Sequence, residues 1–145
     1  MKADNIMFSF RMDFFELLEE VRKMDLPEGK YAILGSGPIA IRRLRPGRDV
    51  DIIVNEDVYE DYAKSAGWNH KRGYGREFLE RGGIELWKGI GPGDWDIQRM
   101  IDRSDIIECL AFVCLEDFIA WKTAAGRDKD LRDVELAKKW LEENQ

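Results

Sequence analysis

The 145-residue chain contains little histidine and little cysteine, which limits the chemistry that it can support. With one histidine, His70, and two cysteines, Cys109 and Cys114, a zinc site of His and Cys ligands has too few candidates. The cysteines have an odd separation in the extended sequence ECLAFVC, so they point to opposite faces of a strand and a local disulfide is not expected. His70 has no nucleophilic partner nearby in sequence and is expected to be structural or exposed.

Long apolar runs and an excess of positive charge are also missing. No stretch of about 18 apolar residues predicts a membrane span, and residues 1–20 carry acids in place of the apolar core of a signal peptide. We therefore expect a cytoplasmic protein with no membrane partner. The net charge of −6 argues against a broad DNA- or RNA-binding surface, but it leaves room for a small anionic ligand accompanied by metal ions.

Length and residue pattern predict one α+β domain. A chain of this size, with 44% hydrophobic and 36% charged residues, forms a single folded unit over 1–145. We expect a sheet-bearing core at 31–114, with a small mixed sheet flanked by helices, and C-terminal helices at 115–145. An amphipathic helix near the start is predicted by apolar residues at i, i+3, i+4 and i+7, namely Phe14, Leu17, Leu18 and Val21.

The remaining elements follow from short patterns. Strands are predicted for YAILG and DVDIIV, a hairpin for EFLE-RGG-IELW, another extended segment for DIIECLAFVC, and a short helix within GPGDWDIQRMIDRS. Longer helices are predicted at 56–67, 115–126 and 128–144, each of the first two ended by a glycine. The last helix is expected to turn inward its apolar residues, namely Leu131, Val134, Leu136, Ala137 and Leu141.

Two acids on one apolar strand are the first sign of a functional site. Asp49 and Asp51 lie two residues apart in DVDIIV, so their side chains point the same way, with Cα atoms about 6.6 Å apart. Two carboxylates held this close repel each other, and burial increases the repulsion. Either this face is wet and without function, or a cation lies beside it.

The turn before this strand is suited to phosphate. Gly35-Ser36-Gly37 ends one strand and leads into a short helix that begins near Pro38. Backbone N–H groups of a glycine turn, together with the Ser36 hydroxyl, can bind phosphate oxygens, and carboxylates on the next strand can hold Mg²⁺. Each feature alone is more often structural, but together and in this order they favour a site for a metal-bound polyphosphate.

These residues resemble a known signature. GSG followed by DVD is similar to the glycine–serine and Asp-x-Asp motifs of the nucleotidyltransferase fold, the DNA polymerase β-like superfamily. The tail LEDFIAWKTAAGRDKDLRDVELAKKWL is similar to that of small members, the minimal nucleotidyltransferases and AbiEii-type toxin enzymes. The matches cover 31–54 and 115–141, with GGIELW between them.

The resemblance implies roles for particular residues. Gly35 and Ser36 would bind nucleotide phosphates, and Asp49 and Asp51 would ligate Mg²⁺ or Mn²⁺. A third carboxylate would be Glu85, which alternates with two apolar neighbours. Asp94 and Asp96, also two apart, are rivals, although they are better read as the first turn of a short helix.

Several basic residues complete the expected site. Lys122 and Lys129 would bind phosphate from the C-terminal helices, with Asp130 and Asp133 on the same side. Of the four arginines between the two motifs, three are expected on a solvated face, and a role for Arg48 beside Asp49 stays open. The five tryptophans are expected mainly in the core or at interfaces, with Trp87 and Trp95 as candidates for the border of a pocket.

The function implied is transfer of a nucleoside monophosphate from an NTP to a hydroxyl, with two divalent metal ions and release of pyrophosphate. The acceptor stays open among a small molecule such as an aminoglycoside, a protein hydroxyl and a tRNA end. By resemblance alone, a partner protein and a role in a toxin–antitoxin pair are possible. The alternatives are a non-catalytic nucleotide-binding or regulatory module of the same fold, and a structural domain with an exposed acidic strand.

Overall fold

The computed structural model describes residues 12–145, which form helices around one mixed β-sheet. In chain order the elements are α1 (Phe14–Met24), β1 (Tyr31–Ile33), α2 (Gly37–Ala40), β2 (Val50–Val54), α3 (Glu56–Ala63), β3 (Asn69–Gly73), β4 (Arg76–Arg81), β5 (Ile84–Trp87), α4 (Ile97–Asp102), β6 (Asp105–Ile107), β7 (Leu110–Phe112), α5 (Leu115–Ala125) and α6 (Asp128–Glu143). The expected α+β class is confirmed, and the particular fold family stays a prediction.

The sheet has the strand order β3-β4-β5-β2-β1-β7-β6. The pairs β2–β5 and β1–β7 are parallel, and the other neighbours are antiparallel. The central strands β1 and β2 are made almost entirely of buried apolar residues, as strands covered on both faces are. The predicted hairpin is present as β4 and β5, joined at Gly82 and Gly83.

This topology brings three distant segments together. Because β1 and β2 are antiparallel, the end of β1 lies beside the start of β2, and the Leu34 N–H donates to the Asp51 carbonyl at 2.7 Å. Because β2 and β5 are parallel, the start of β5 lies there too, with Asp51 directly opposite Glu85. The turn after β1 and the acids of β2 and β5 thus share one region of the sheet.

The helices follow the expected pattern closely. A capping box at Asp13 and Glu16 starts α1, and the predicted apolar stripe of this helix is buried: Phe14, Leu17, Leu18 and Val21. The helices α5 and α6 pack against each other across Gly126, which ends α5 at φ +68°. In the described part of the chain, no helix has the length and apolar character needed to cross a bilayer.

Three details differ from the prediction. Leu131 of α6 is exposed, and the helix instead buries Asp130 and Asp133, because basic partners surround those carboxylates. The segment predicted as one extended piece is the β6–β7 hairpin, whose turn contains the exposed Cys109. Cys109 and Cys114 therefore flank β7 and do not lie together on one strand as predicted, and both are free cysteines. The helix α3 ends at Ala63, short of Gly67.

Candidate active site

A cleft of about 850 Å³ opens where the turn after β1 meets the acids of β2 and β5. Its volume lies in the range typical of small-ligand sites. The lining includes every residue that the sequence nominated as catalytic, nucleotide-binding or metal-binding, namely Gly35, Ser36, Asp49, Asp51, Glu85, Lys122 and Lys129. These residues come from five separate segments of the chain.

The charge of the cleft is opposite in sign to that of the whole chain. Four acidic residues line it, namely Asp49, Asp51, Glu85 and Asp130. Six basic residues line it as well, namely Arg45, Arg48, Arg72, Lys122, Arg127 and Lys129. A protein of net charge −6 has therefore gathered an excess of basic groups around one acidic cluster. Such a concave basic surface favours an anionic ligand.

Asp49, Asp51 and Glu85, named here the acidic cluster, interact through their charges, and Asp51 is the most affected. Burial raises the pKa of the Asp51 carboxyl to about 8, and the charges of Glu85 and Asp49, with a hydrogen bond to Glu85, add to the effect. Asp51 and Glu85 are cross-strand neighbours, and neighbouring strands lie about 4.8 Å apart. The Asp51 carboxyl therefore keeps its proton near neutral pH unless a cation replaces it.

Gly35 fits closely against the acidic cluster. Its backbone has φ +57°, and a Cβ atom added there would collide with Oδ2 of Asp51. Only glycine combines this conformation with such a close approach. Ser36 follows at the entrance to α2, and its side chain makes no helix-capping hydrogen bond. The turn and the acid therefore form one surface.

Of the three candidates for the third carboxylate, Glu85 lines the cleft, and Asp94 and Asp96 do not. Its Oε1 accepts a hydrogen bond of 3.0 Å from the Trp87 indole N–H. Asp96 caps α4 by accepting from the Arg99 N–H, as the reading of a helix start predicted, and Asp94 is exposed near Arg76. Neither rival lines the cleft.

Lys122 of α5 lines the same cleft. Its side chain is buried, and Nζ lies 3.3 Å from Asp130 and 3.1 Å from Asp133. Arg45 holds Asp133 through two hydrogen bonds of 2.7 Å, and Arg127 holds Asp130 at 2.7 Å. Burial would raise the pKa of both aspartates, but these basic partners lower it overall. The network carries three positive and two negative charges.

The other basic residues divide between cleft and surface. Arg48 and Lys129 are exposed at the rim of the cleft. Arg42 binds Asp105 and lies over Trp140, and Arg43 lies over the Phe15 ring, so both serve packing. His70 is exposed, as expected, with Nε2 3.2 Å from the Ala63 carbonyl.

Sequence reasoning missed several residues of the cleft. Arg45 was placed on a solvated face, whereas it binds the buried Asp133 and lines the cleft. Arg127, Trp121 and the exposed Tyr74 were not nominated, and each depends on contacts between distant segments. Trp87, a candidate, lies in the cleft, but Trp95 does not line it. The sequence did contain one signal for Trp87: it is two residues after Glu85 on a strand, so the two side chains lie on the same face.

In the described part of the chain, side chains alone do not form a metal site. Within residues 12–145, no three His, Cys, Asp or Glu side chains converge closely enough to enclose an ion. The donors that the cleft offers are carboxylate oxygens from Asp49, Asp51 and Glu85, which suit hard cations such as Mg²⁺.

Comparisons of the chain with protein-family models, with curated proteins and with solved structures found no match. The interpretation of the cleft therefore depends on its own geometry and chemistry.

The contact of Gly35 with Asp51 leads to a first prediction. Gly35→Ala lowers the free energy of unfolding by about 2 kcal/mol more than Gly29→Ala does, because it adds a collision to the backbone strain. Gly29 is the matched control, since it has φ +81° with no atom within 4 Å of its added Cβ. Urea titration of both variants measures the difference, and equal losses would contradict the role of the Asp51 contact.

The raised pKa of Asp51 leads to a second prediction. The folded state holds this proton up to about pH 8 and the unfolded state releases it near pH 4, so the wild type loses stability as pH rises between these values. Asp51→Asn removes the ionising group, and its gain in stability over wild type is larger at pH 8 than at pH 5 by about 1–3 kcal/mol.

Denaturant titrations of Asp51→Asn without divalent metal, at both pH values, measure this gain. Asp94→Asn is the control, because Asp94 is exposed, and its effect is expected to stay within about 0.5 kcal/mol. A gain in the free energy of unfolding that does not grow with pH would contradict the raised pKa of Asp51.

Lys122 and Lys129 lead to a third prediction. Both add positive charge to the cleft, but only Lys122 is buried beside two aspartates. Lys122→Met leaves two buried aspartates short of one partner and lowers the free energy of unfolding by about 2–4 kcal/mol. Lys129→Met removes an exposed charge of the same cleft and changes stability by less than about 0.5 kcal/mol. Thermal and urea denaturation compare the two, and similar losses in both would contradict the anchoring role of Lys122.

Proposed function

We propose that this protein is a small nucleotidyltransferase, which moves a nucleoside monophosphate from an NTP to a hydroxyl acceptor and releases pyrophosphate. The observation that carries the proposal is the contact between the Gly35 turn and the Asp51 carboxylate, with Glu85 beside it. The similarity of GSG, DVD and the C-terminal tail to the DNA polymerase β-like superfamily supports the same conclusion. Localisation in the cytoplasm and membership of a toxin–antitoxin pair stay predictions.

The basic wall of the cleft supports binding of a triphosphate. Backbone N–H groups at Gly35 and the Ser36 hydroxyl are donors to phosphate oxygens, and Lys122 and Lys129 supply positive charge from the opposite side. Arg48 at the rim adds a further cation. A triphosphate of about four negative charges suits six basic residues, provided that the acids are neutralised.

The acids fit a divalent cation. Mg²⁺ is usually bound by one or two carboxylates together with substrate phosphates and waters, so the absence of a closed protein cage among the described residues suits a site completed by the NTP. Asp49 and Asp51 would ligate the ion, with Glu85 as a further ligand. When bound, Mg²⁺ or Mn²⁺ supplies positive charge that offsets the carboxylate repulsion and polarises the reacting oxygens.

The side chains of the cleft then have separate tasks in the transfer. The acceptor oxygen bonds to the α-phosphorus, the bond from this phosphorus to the bridging oxygen breaks, and pyrophosphate leaves. Glu85 lies on the side of Asp51 away from Gly35, where its carboxylate can accept the proton of the acceptor hydroxyl. Lys122 balances charge on the phosphates, because its position is fixed by Asp130 and Asp133.

The charge of the cleft also ranks the acceptors. A polycationic aminoglycoside meets six basic side chains around a metal-neutralised acidic cluster, which opposes its binding. A long RNA acceptor is opposed by the net charge of −6 outside the cleft. A neutral or weakly anionic hydroxyl compound is therefore the favoured class.

A non-catalytic nucleotide-binding module is the second candidate. Its supporting observation is the raised pKa of the Asp51 carboxyl, caused by burial and by the neighbouring Glu85, which makes Asp51 a poor cation ligand until an NTP adds further ligands. Both candidates predict NTP binding, and only the enzyme releases pyrophosphate.

Calorimetric titration with Mg²⁺ and α,β-methylene-ATP tests the shared step. Wild type is expected to bind, and Asp49→Asn and Asp51→Asn to bind at least about tenfold more weakly, because the metal loses a charged ligand. Asp94→Asn, the rival acid outside the cleft, is the control and is expected to bind as wild type does. Binding that needs no metal, or that survives loss of Asp51, would contradict the proposal.

A pyrophosphate-release assay with each NTP and pooled hydroxyl acceptors separates the two candidates. Metal-dependent release that Asp51→Asn abolishes supports the enzyme, and binding without release in any pool supports the module.

A further inference from the structure

The groups of the cleft follow one another in a fixed order across the sheet. The Gly35 turn follows β1, Asp51 belongs to β2 with Asp49 directly before this strand, and Glu85 belongs to β5, the next strand along. In phosphoryl-type transfer, the attacking and leaving oxygens lie on opposite sides of the phosphorus. If pyrophosphate leaves toward the Gly35 turn, the acceptor must approach from beyond Glu85.

The surface beyond Glu85 is aromatic. Trp87 is two residues further along β5 and therefore on the same face as Glu85, and its cross-strand partner on β4 is Phe78. The two rings stack with centroids 4.2 Å apart and planes 11° apart, and both line the cleft. The Trp87 indole N–H holds Glu85, so this surface directly adjoins the carboxylate that faces the acceptor.

Tyr74 extends this surface at the tip of the β3–β4 hairpin. Its side chain is 84% exposed and lines the cleft, so its ring is not used in the core. Tyr74 and Gly75 have φ +56° and +74°, the backbone of a two-residue type I′ turn, in which Asn-Gly is the favoured pair. A tyrosine at positive φ is strained, and such strain is concentrated at functional sites.

The tip of the β3–β4 hairpin lines the same cleft as Arg127. Tyr74 lies close enough to Arg127 to contribute, after Asp130, to the raised pKa of that guanidinium. Arg127 binds Asp130, which binds Lys122, and Tyr74 lines the same cleft as these basic residues. A ligand that contacts Trp87 is positioned to contact Tyr74 as well.

We propose that Tyr74, Phe78 and Trp87, named here the aromatic wall, form the acceptor subsite, and that the acceptor is a hydroxyl compound carrying a flat ring. Flat rings gain most from contact with aromatic faces, and Arg72 and Arg127 at the rim favour a neutral or anionic ring over a cationic one. The inference rests on the proposed function, because it places the acceptor by the direction of transfer.

Matched probes test the requirement for a ring. Calorimetry is performed with wild type saturated with Mg²⁺ and α,β-methylene-ATP, which occupies the donor site and cannot react. Adenosine is compared with ribose, and N-acetyltyrosinamide with N-acetylserinamide, so that each pair differs by its ring. At least one ring-bearing probe is expected to bind about tenfold tighter than its partner, and the pair that responds identifies a nucleoside or a phenol as the ring source.

A pair of turn variants tests the aromatic wall without damaging the fold. Tyr74→Asn places the residue that a type I′ turn prefers, so it is expected to keep or raise the melting temperature while the ring preference falls several-fold. Glu108→Asn is the control, since Glu108 has φ +51° in the β6–β7 turn and does not line the cleft. This variant is expected to keep the full ring preference.

Trp87→Leu provides a second variant, with Trp140→Leu on α6 as its control. Loss of ring preference in Tyr74→Asn or Trp87→Leu, with both controls unchanged, supports the acceptor subsite. No ring preference in either pair of probes, or a preference that both cleft variants retain, would overturn it while leaving donor binding intact. Failure of wild type to bind the ATP analogue would overturn the proposed function itself, and the subsite with it.

Discussion

The repulsion among three neighbouring carboxylates is the constraint around which this structure is organised. Asp51 and Glu85 lie opposite each other on adjoining strands, Asp49 directly precedes β2, and the pKa of Asp51 is raised to about 8 by burial and by the other two acids. No apolar core needs such an arrangement, and it costs folding free energy at neutral pH. Under the proposed function, a bound cation would relieve this cost and restore the stability that the carboxylate repulsion removes.

The rest of the molecule supports this cluster in two ways. The β1–β2 pairing brings the Gly35 turn against Asp51, and the β2–β5 pairing brings Glu85 beside it. The helix α5 then supplies Lys122, whose position is set by Asp130 and Asp133, the two buried aspartates of α6. These charges are held in place by contacts within the protein, so the proposed binding of an anionic ligand would need little reorganisation.

The sequence predicted the local features well and the contacts between segments poorly. The helical spacing of Phe14 and Leu17 and the strand alternation at Asp49 and Asp51 follow from nearest neighbours along the chain, and they were read correctly. Leu131 was placed inward by its hydrophobicity alone. The burial of Asp133 depends on Arg45, which is 88 residues away, so no local pattern reveals it.

The same distinction applies to the cleft. Glu85 could be named as a candidate from alternation and family resemblance, but its position opposite Asp51 is a matter of strand order and register, which a single sequence does not fix. Tyr74 was not a candidate from the sequence. Its positive φ and its place in the cleft depend on the β3–β4 hairpin and on the position of this hairpin in the sheet.

The most direct test of this account is a crystal structure with Mn²⁺ and α,β-methylene-ATP, with the metal located by its anomalous scattering. The account predicts manganese bonded to Asp49 and Asp51, bridged to phosphates that lie against Gly35 and Ser36. Nucleotide bound elsewhere, or manganese at any other carboxylates while this cluster keeps its proton, would contradict it.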